Sequence, residues 1–335
     1  MSRVQHIEVK ADQAGIRLDR WFKTHFPHIQ HGRLEQLLRK GQIRVDGCRA
    51  KANIRLTSGQ TIRVPPLADS PPVKRKKTLY APPQLRQEIL NNILYQDAHI
   101  LALNKPAGLA VQGGSKTPMH LDGLLDLLTF DADERPRLVH RLDRDTSGVM
   151  VLARTRQAAV FLTKAFAARK IRKIYWGLTL GVPRPAQGDI DLKLIKQRTE
   201  NGQRMRPANA GEEGGLRAIT RFYVMARAGK QFAWTAFMPL TGRTHQIRAH
   251  ALAIGHPLIG DEKYVLPNSA PYGELPKKLH LHAYALVLPH PADTGKSLSL
   301  QAPLTGHMAH SWELLGFDID DIATDPFPPD DNEKA

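Results

Sequence analysis

Apolar residues recur along this 335-residue chain at helical spacing in some stretches and as unbroken runs in others, and the two patterns predict different elements. Near the start, Leu18, Trp21, Phe22 and Phe26 return every three or four residues, and Leu34, Leu37 and Leu38 repeat the pattern, which predicts two short amphipathic helices. Arg17, Arg20, Lys23, Arg33, Arg39 and Lys40 stand between these positions, so both helices should be apolar inside and basic outside. A strand is expected over Gln42–Val45, followed by Asp46-Gly47, a pair that tolerates the positive φ of a tight hairpin. Ser58-Gly59 precedes a last strand, Thr61–Val64. Residues 7–65 therefore read as one small basic α+β unit.

Beyond it, Pro65-Pro66, Pro71-Pro72 and Pro82-Pro83 surround the run Lys74-Arg75-Lys76-Lys77, which predicts an extended linker able to touch phosphates without specificity. From there to about Leu304, short strand candidates dominate. Ile100–Leu103 and Val149–Ala153 are continuous apolar runs, as strands buried on both faces require, and Phe232–Pro239 and Ala285–Leu288 are further candidates. One helix stands out, with Thr155 as its cap and Ala158, Phe161, Leu162, Ala165 and Phe166 on one face. With no regular βαβ alternation, the fold class expected is α+β, built on a mainly antiparallel mixed sheet with flanking helices. The expected boundaries are residues 1–66 for the first unit, 67–88 for the linker, 89–310 for the large domain and 311–335 for a loose acidic tail.

Composition narrows the function. Apolar residues make up 41% and charged residues 24%, as in ordinary folded proteins. No apolar run approaches the ~20 residues of a membrane span, and the first residues lack the apolar core of a signal peptide, so a cytoplasmic protein is expected. A lone cysteine, Cys48, leaves no internal disulfide and no thiol-rich zinc site. Residues 1–78 carry 17 basic and 6 acidic side chains, a net of +11 in a chain of net +16, while residues 315–335 carry a net of −6. A basic front end points to a polyanion partner, since neutralised phosphates release counterions.

Two polar clusters hold the candidate chemistry. Leu138–Gly148 packs Asp143, Asp145, Arg141, Arg144, His140, Thr146 and Ser147 into a loop that runs into a buried strand. Loops on rigid scaffolds are where functional side chains gather; a charged turn with local capping bonds explains the composition equally well. Leu240–His250 follows a second strand, and Thr244 is placed to cap a helix carrying Arg248, an anion site if functional and a surface helix start if not. His245 and His250 are spaced wrongly for one helical face, so no metal is expected, and His280 and His282 read as satisfied structural histidines. No phosphate-cradling Gly-rich loop is present.

Gly15-Ile16-Arg17-Leu18-Asp19-Arg20-Trp21 and Leu37-Leu38-Arg39-Lys40-Gly41-Gln42-Ile43-Arg44-Val45-Asp46-Gly47 resemble the RNA-binding module of ribosomal protein S4. His140-Arg141-Leu142-Asp143-Arg144-Asp145-Thr146-Ser147-Gly148 resembles the catalytic motif of the RluA-type pseudouridine synthases. Asn104-Lys105-Pro106-Ala107-Gly108, Lys173-Ile174-Tyr175, Thr241–Arg248, Gly255–Asp261 and Leu281-His282-Ala283 follow in that family's order. The similarity spans residues ~93 to ~303, and Val111-Gln112-Gly113-Gly114 is most similar to the branch acting on large-subunit ribosomal RNA. Gly177, where alanine is commoner, and Val265, where glycine is usual, depart from the pattern.

The resemblance implies a pseudouridine synthase fold and isomerisation of uridine in ribosomal RNA, free or in a partly assembled large subunit, by a monomer without cofactor or metal. It implies that Asp143 attacks C1′ or takes a proton from C2′, that Arg248 keeps it ionised, that Tyr175 stacks on the extruded base and that Arg141 fills the vacated stack. Arg17, Arg20, Arg33, Arg39 and Lys40 would bind RNA. Two other readings remain open on composition alone. A glycoside hydrolase would use Asp143 and Asp145 as its carboxylate pair, and a silent assembly factor would only bind RNA.

Overall fold

The computed structural model describes residues 4–29, 31–67, 80–114, 117–199, 202–267, 272–320 and 325–328. The chain divides into two compact units, residues 1–77 and 78–335. In the first, β1 (Gln5–Glu8), α1 (Leu18–His25), α2 (His31–Arg39), β2 (Arg44–Val45), β3 (Cys48–Arg49) and β4 (Thr61–Val64) follow one another. The sheet order is β1-β4-β2-β3, and β1 pairs antiparallel with β4. Leu18, Trp21, Phe22, Leu34, Leu37 and Leu38 meet Ile43, Val45, Ile62 and Val64 in one core, as the helical spacing requires. The β2–β3 turn places Asp46 at φ 49° and Gly47 at φ 76°, the backbone a tight hairpin demands. Only residues 44 and 45 of the expected 42–45 strand are paired.

The second unit comprises α3 (Pro83–Asn91), β5 (Ile93–Gln96), β6 (Ile100–Lys105), α4 (Leu121–Leu124), β7 (Arg137–Leu138), β8 (Ser147–Ala153), α5 (Arg156–Ala167), β9 (Arg172–Leu180), β10 (Gln187–Thr199), β11 (Gly202–Pro207), β12 (Leu216–Ala228), β13 (Phe232–Pro239), α6 (Gln246–Ala253), β14 (Leu281–His290), β15 (Asp293–Gln301) and α7 (His307–Leu314). Its sheet runs β11-β10-β12-β13-β9-β14-β8-β6-β5, with β15 on β14 and β7 on β8. Every described pairing between these strands is antiparallel except β14 with β8. The fold is α+β with a mixed sheet and flanking helices.

The unbroken apolar runs are explained by cover on both faces. Leu101, Leu103, Met150 and Leu152 face one core with Ile89 of α3 and Leu121 of α4. Ile100, Ala102, Val149, Val151 and Ala153 face the other with Ala158, Leu162 and Ala165 of α5. The Thr155 hydroxyl accepts from the Ala158 N–H at 3.1 Å and caps α5.

Three expectations are corrected. Residues 83–88 are not extended linker: Pro83 opens α3, where a missing N–H leaves no helical bond unmade. The basic run at 74–77 lies outside the described residues. The last stretch is not loose where it is described. Trp312 is buried in α7, and Phe317, Ile319 and Phe327 pack against the same core as Trp176 and Trp234. Asp325 pairs with Arg172 at 2.9 Å, and Arg172 also donates to the Phe327 carbonyl at 2.7 Å. Thr244, finally, does not cap α6; the cap position is His245, at φ 50°.

Candidate active site

The polar loop after β7 is held in place before any partner arrives. Lys105, at the end of β6 and fully buried, donates to the carbonyls of Pro106, Leu109 and Arg144 at 2.8, 2.9 and 3.0 Å. Burial pushes its ammonium down to about 7, against the opposing charges of Asp145 and Asp143. Gly148, at φ 109°, closes the loop into β8; a Cβ there would lie 2.2 Å from the Ala283 carbonyl oxygen, so the parallel contact with β14 needs glycine. Next to it, Ser147 Oγ lies 2.8 Å from His282 Nδ1, and His282 Nε2 lies 3.0 Å from the Ala302 carbonyl. The carbonyl requires a donor, so Nε2 carries the proton and Nδ1 accepts from the serine. His140 Nε2 accepts from the Val151 N–H at 2.8 Å, and its ring stacks on Phe166. Burial holds His140 neutral, with its pKa near 3.

The second cluster meets the first through α6. Gln246 accepts from Thr241 Oγ1 at 2.6 Å and from the Arg243 N–H at 3.0 Å, and donates to Ile219 O and Thr220 Oγ1 on β12. Two residues further, Arg248 makes two short bonds to Asp261, 2.6 Å from Nε and 2.7 Å from Nη2. Its remaining nitrogen, Nη1, lies 3.4 Å from Asp143 Oδ2. The side chain of Asp261 is 0% exposed, that of Arg248 7% and that of Asp143 22%, so the pair is sealed while Asp143 stays open on one side. Burial opposes the charge on Arg248, but the bonds and charge of Asp261, with Asp143 behind them, outweigh it and raise its pKa. Asp261 also accepts from the N–H groups of Lys263 and Tyr264. The Tyr264 hydroxyl accepts from the Met205 N–H at 2.7 Å and faces His245 Nδ1 at 3.0 Å, and His245 Nε2 stands 3.8 Å from Asp143.

Asp143 lies in the wall between two cavities. One, of about 490 Å3, is lined by Tyr175, Lys173, Ile247 and Leu281. The other, of about 840 Å3, is lined by Gly108, Gln112, Gly260, Lys263 and Lys277. Arg141, Asp143, His245 and Arg248 border both. Tyr175 is half-buried, and burial, reinforced by the charge of Asp143, raises its phenol pKa. Arg141 is exposed and bonds to no described residue. Asp145, the rival carboxylate, is taken up by Arg144 at 2.9 and 3.2 Å.

The structure thus brings Asp143, Arg248, Tyr175 and Arg141 together. Arg17, Arg20, Arg33, Arg39 and Lys40 belong to the other unit, all exposed, with Arg17 paired to Asp19 and Arg33 bonded to Gln36. Among the described residues no three His, Cys, Asp or Glu side chains converge as metal ligands would. Sequence reasoning gave no role to Asp261, Tyr264 or His245; the signal for Asp261 was a buried arginine that needs a carboxylate partner. The departure at Gly177 has a local cause, since a Cβ there would lie 2.8 Å from Leu258 Cδ2 and 3.3 Å from the His280 carbonyl.

Residues 99–253 match the family model for RNA pseudouridylate synthase. The ribosomal large subunit pseudouridine synthase C of Rickettsia typhi is 33% identical over 292 residues, covering 86% of this chain and 94% of that protein. The protein of the same name from Vibrio cholerae is 34% identical over 316 residues, covering 92% and 95%. Among solved structures, human RNA pseudouridylate synthase domain containing 4 superimposes with a TM-score of 0.59 at 29% identity, over 70% of this chain and 96% of that one. The chain belongs to the RNA pseudouridylate synthase family of enzymes.

Proposed function

We propose that this protein isomerises uridine to pseudouridine in large-subunit ribosomal RNA, with Asp143 as the catalytic carboxylate. The reading rests above all on the guanidinium of Arg248, fixed by Asp261 with its remaining nitrogen 3.4 Å from Asp143, in a cavity that Tyr175 also lines. Isomerisation breaks the N1–C1′ bond, turns the base and joins C5 to C1′; C5 gives up a proton and N1 gains one. Atoms and electrons balance within the nucleotide, so the chemistry calls for no redox cofactor or group donor. Asp143 serves the sugar as nucleophile at C1′ or as base at C2′, and either role needs it ionised in a site that excludes water. The Arg248 guanidinium, 3.4 Å from Oδ2, is the cation placed to face that carboxylate.

A uridine inside a helix is out of reach, so the nucleotide is extruded into the smaller cavity. There Tyr175 stacks beside C5, and Arg141, unbonded at the rim, replaces the base in its stack. Exposed cations of the N-terminal, S4-like unit, among them Arg17, Arg20, Arg33, Arg39 and Lys40, supply sequence-independent affinity. The protein acts as a cytoplasmic monomer on free ribosomal RNA or a partly assembled subunit. The test is to incubate unmodified large-subunit transcript with the enzyme and chelator, then map pseudouridine by carbodiimide-dependent reverse-transcription stops. Stops at discrete uridines support the reading; RNA that binds yet gains no stop, as transcript or as subunit precursor, contradicts it.

A further inference from the structure

The larger cavity beside Asp143 has a lining unlike that of a base pocket. Among its described residues there is no Phe, Tyr or Trp, and its one ring is the imidazole of His245, already held by the Tyr264 hydroxyl. It also lacks the largely apolar wall of a small-molecule site, although its volume of about 840 Å3 falls in the usual range. Its character is cationic. Two of its carboxylates, Asp143 and Asp145, already face Arg248 and Arg144. Lys263, Lys277 and Lys278 are exposed, and none pairs with a described residue; Arg141 joins them, opposed only by Glu262.

This placement is built by the backbone. Gly260, at φ 70°, lets its turn press against the next segment so closely that a Cβ would sit 1.9 Å from the Lys278 carbonyl oxygen. That approach brings Lys263 and the Lys277–Lys278 pair, from separate segments, to the rim of one cavity. The lining also includes Ala107, Gly108 and Ala110, small residues that take up little of the cavity.

We infer that this cavity seats the sugar–phosphate backbone of the RNA strand beside the target nucleotide, with Lys263, Lys277 and Lys278 gripping its phosphates. The inference rests on the RNA-modifying reading above and extends it to a second subsite. Phosphate contacts position without reading sequence, so these lysines set affinity and register and leave the chemical step to Asp143.

The test compares the full-length wild type with two triple variants, Lys263→Ala/Lys277→Ala/Lys278→Ala and Lys164→Ala/Lys230→Ala/Lys296→Ala. The second removes the same charge from surface sites that border neither cavity. Matching thermal melts establish that all three are folded. Binding to a uridine-containing single-stranded 12-mer is measured over a range of KCl concentrations, and tritium release from C5-labelled transcript is measured at saturating RNA. Each lost phosphate contact lowers the log–log salt slope by about 0.7. The cavity variant should therefore lose roughly 2 from its slope and keep its saturating turnover within about threefold, while the control keeps the wild-type slope. Equal slopes for the two variants overturn the inference. If wild type releases no tritium yet the slopes separate, the phosphate seat stands and the isomerase reading falls.

Discussion

The two basic regions of this protein use charge in opposite ways. In the N-terminal unit, Arg20, Arg39 and Lys40 are exposed and Arg17 pairs only with its neighbour Asp19, so the cations stay solvated and adjustable. Beside Asp143, Arg248 is buried, clamped by Asp261 and aimed at one carboxylate. Solvated charges of the first kind attract a polyanion at long range and contribute little to geometry. A desolvated, pre-oriented charge of the second kind acts at full strength on one ionisation state. Affinity and chemistry are therefore expected to respond to different substitutions.

The sharpest separation should come from Arg248→Ala, which removes the buried cation. Turnover at saturating RNA should fall by about 10²–10³-fold, with the dissociation constant changed less than threefold; equal losses in both would merge the two kinds of charge. Asp261→Asn should come next. It leaves Arg248 buried with half its support, and breaking such a pair destabilises by about 3–5 kcal/mol, read as a lowered urea midpoint together with reduced turnover.

The interior around the site also makes a pH prediction. His250, His280 and His282 are fully buried, and burial pushes each from 6.5 down to about 4. An unfolded chain protonates them near 6.5 and the folded chain does not, so their neutral forms favour folding fully above pH 6.5. That stability drains away as pH falls toward 4. Urea melts should show uptake of about four protons on unfolding near pH 5, about three from these and one from His140; a midpoint flat from pH 7 to 5 would contradict it. The smallest effect belongs to the N-terminal cations. Arg33→Ala with Arg39→Ala and Lys40→Ala should flatten the salt dependence of RNA binding by about 2 log units per decade and leave saturating turnover unchanged.

How far the sequence reveals this molecule depends on how local each determinant is. β6 and β8 were legible as apolar runs because both their faces are covered, and α1, α2 and α5 because one side of each is buried. β1 was not, because Gln5–Glu8 becomes a strand only by pairing with β4, more than fifty residues away. In α3 and at the C-terminal end, composition misled: proline reads as linker though it suits a helix start, and acidic residues drew attention from Trp312, Phe317 and Phe327. At the site, Asp143 and Asp145 are indistinguishable by composition. Their separation is geometric, one carboxylate taken by Arg144 and the other turned to Arg248 and two cavities. Asp261 was hidden because its role lies entirely in what it holds.

The most direct test of the account is the Asp143→Asn variant beside wild type, on large-subunit ribosomal RNA carrying tritium at uridine C5. Asn keeps the size and polarity of the side chain and removes the charge that Arg248 faces. The account predicts that both proteins bind the RNA with dissociation constants within about threefold, that wild type releases tritium, and that the variant releases it at least about 10³-fold more slowly. Release by Asp143→Asn within tenfold of wild type would contradict it and move the chemistry to another group.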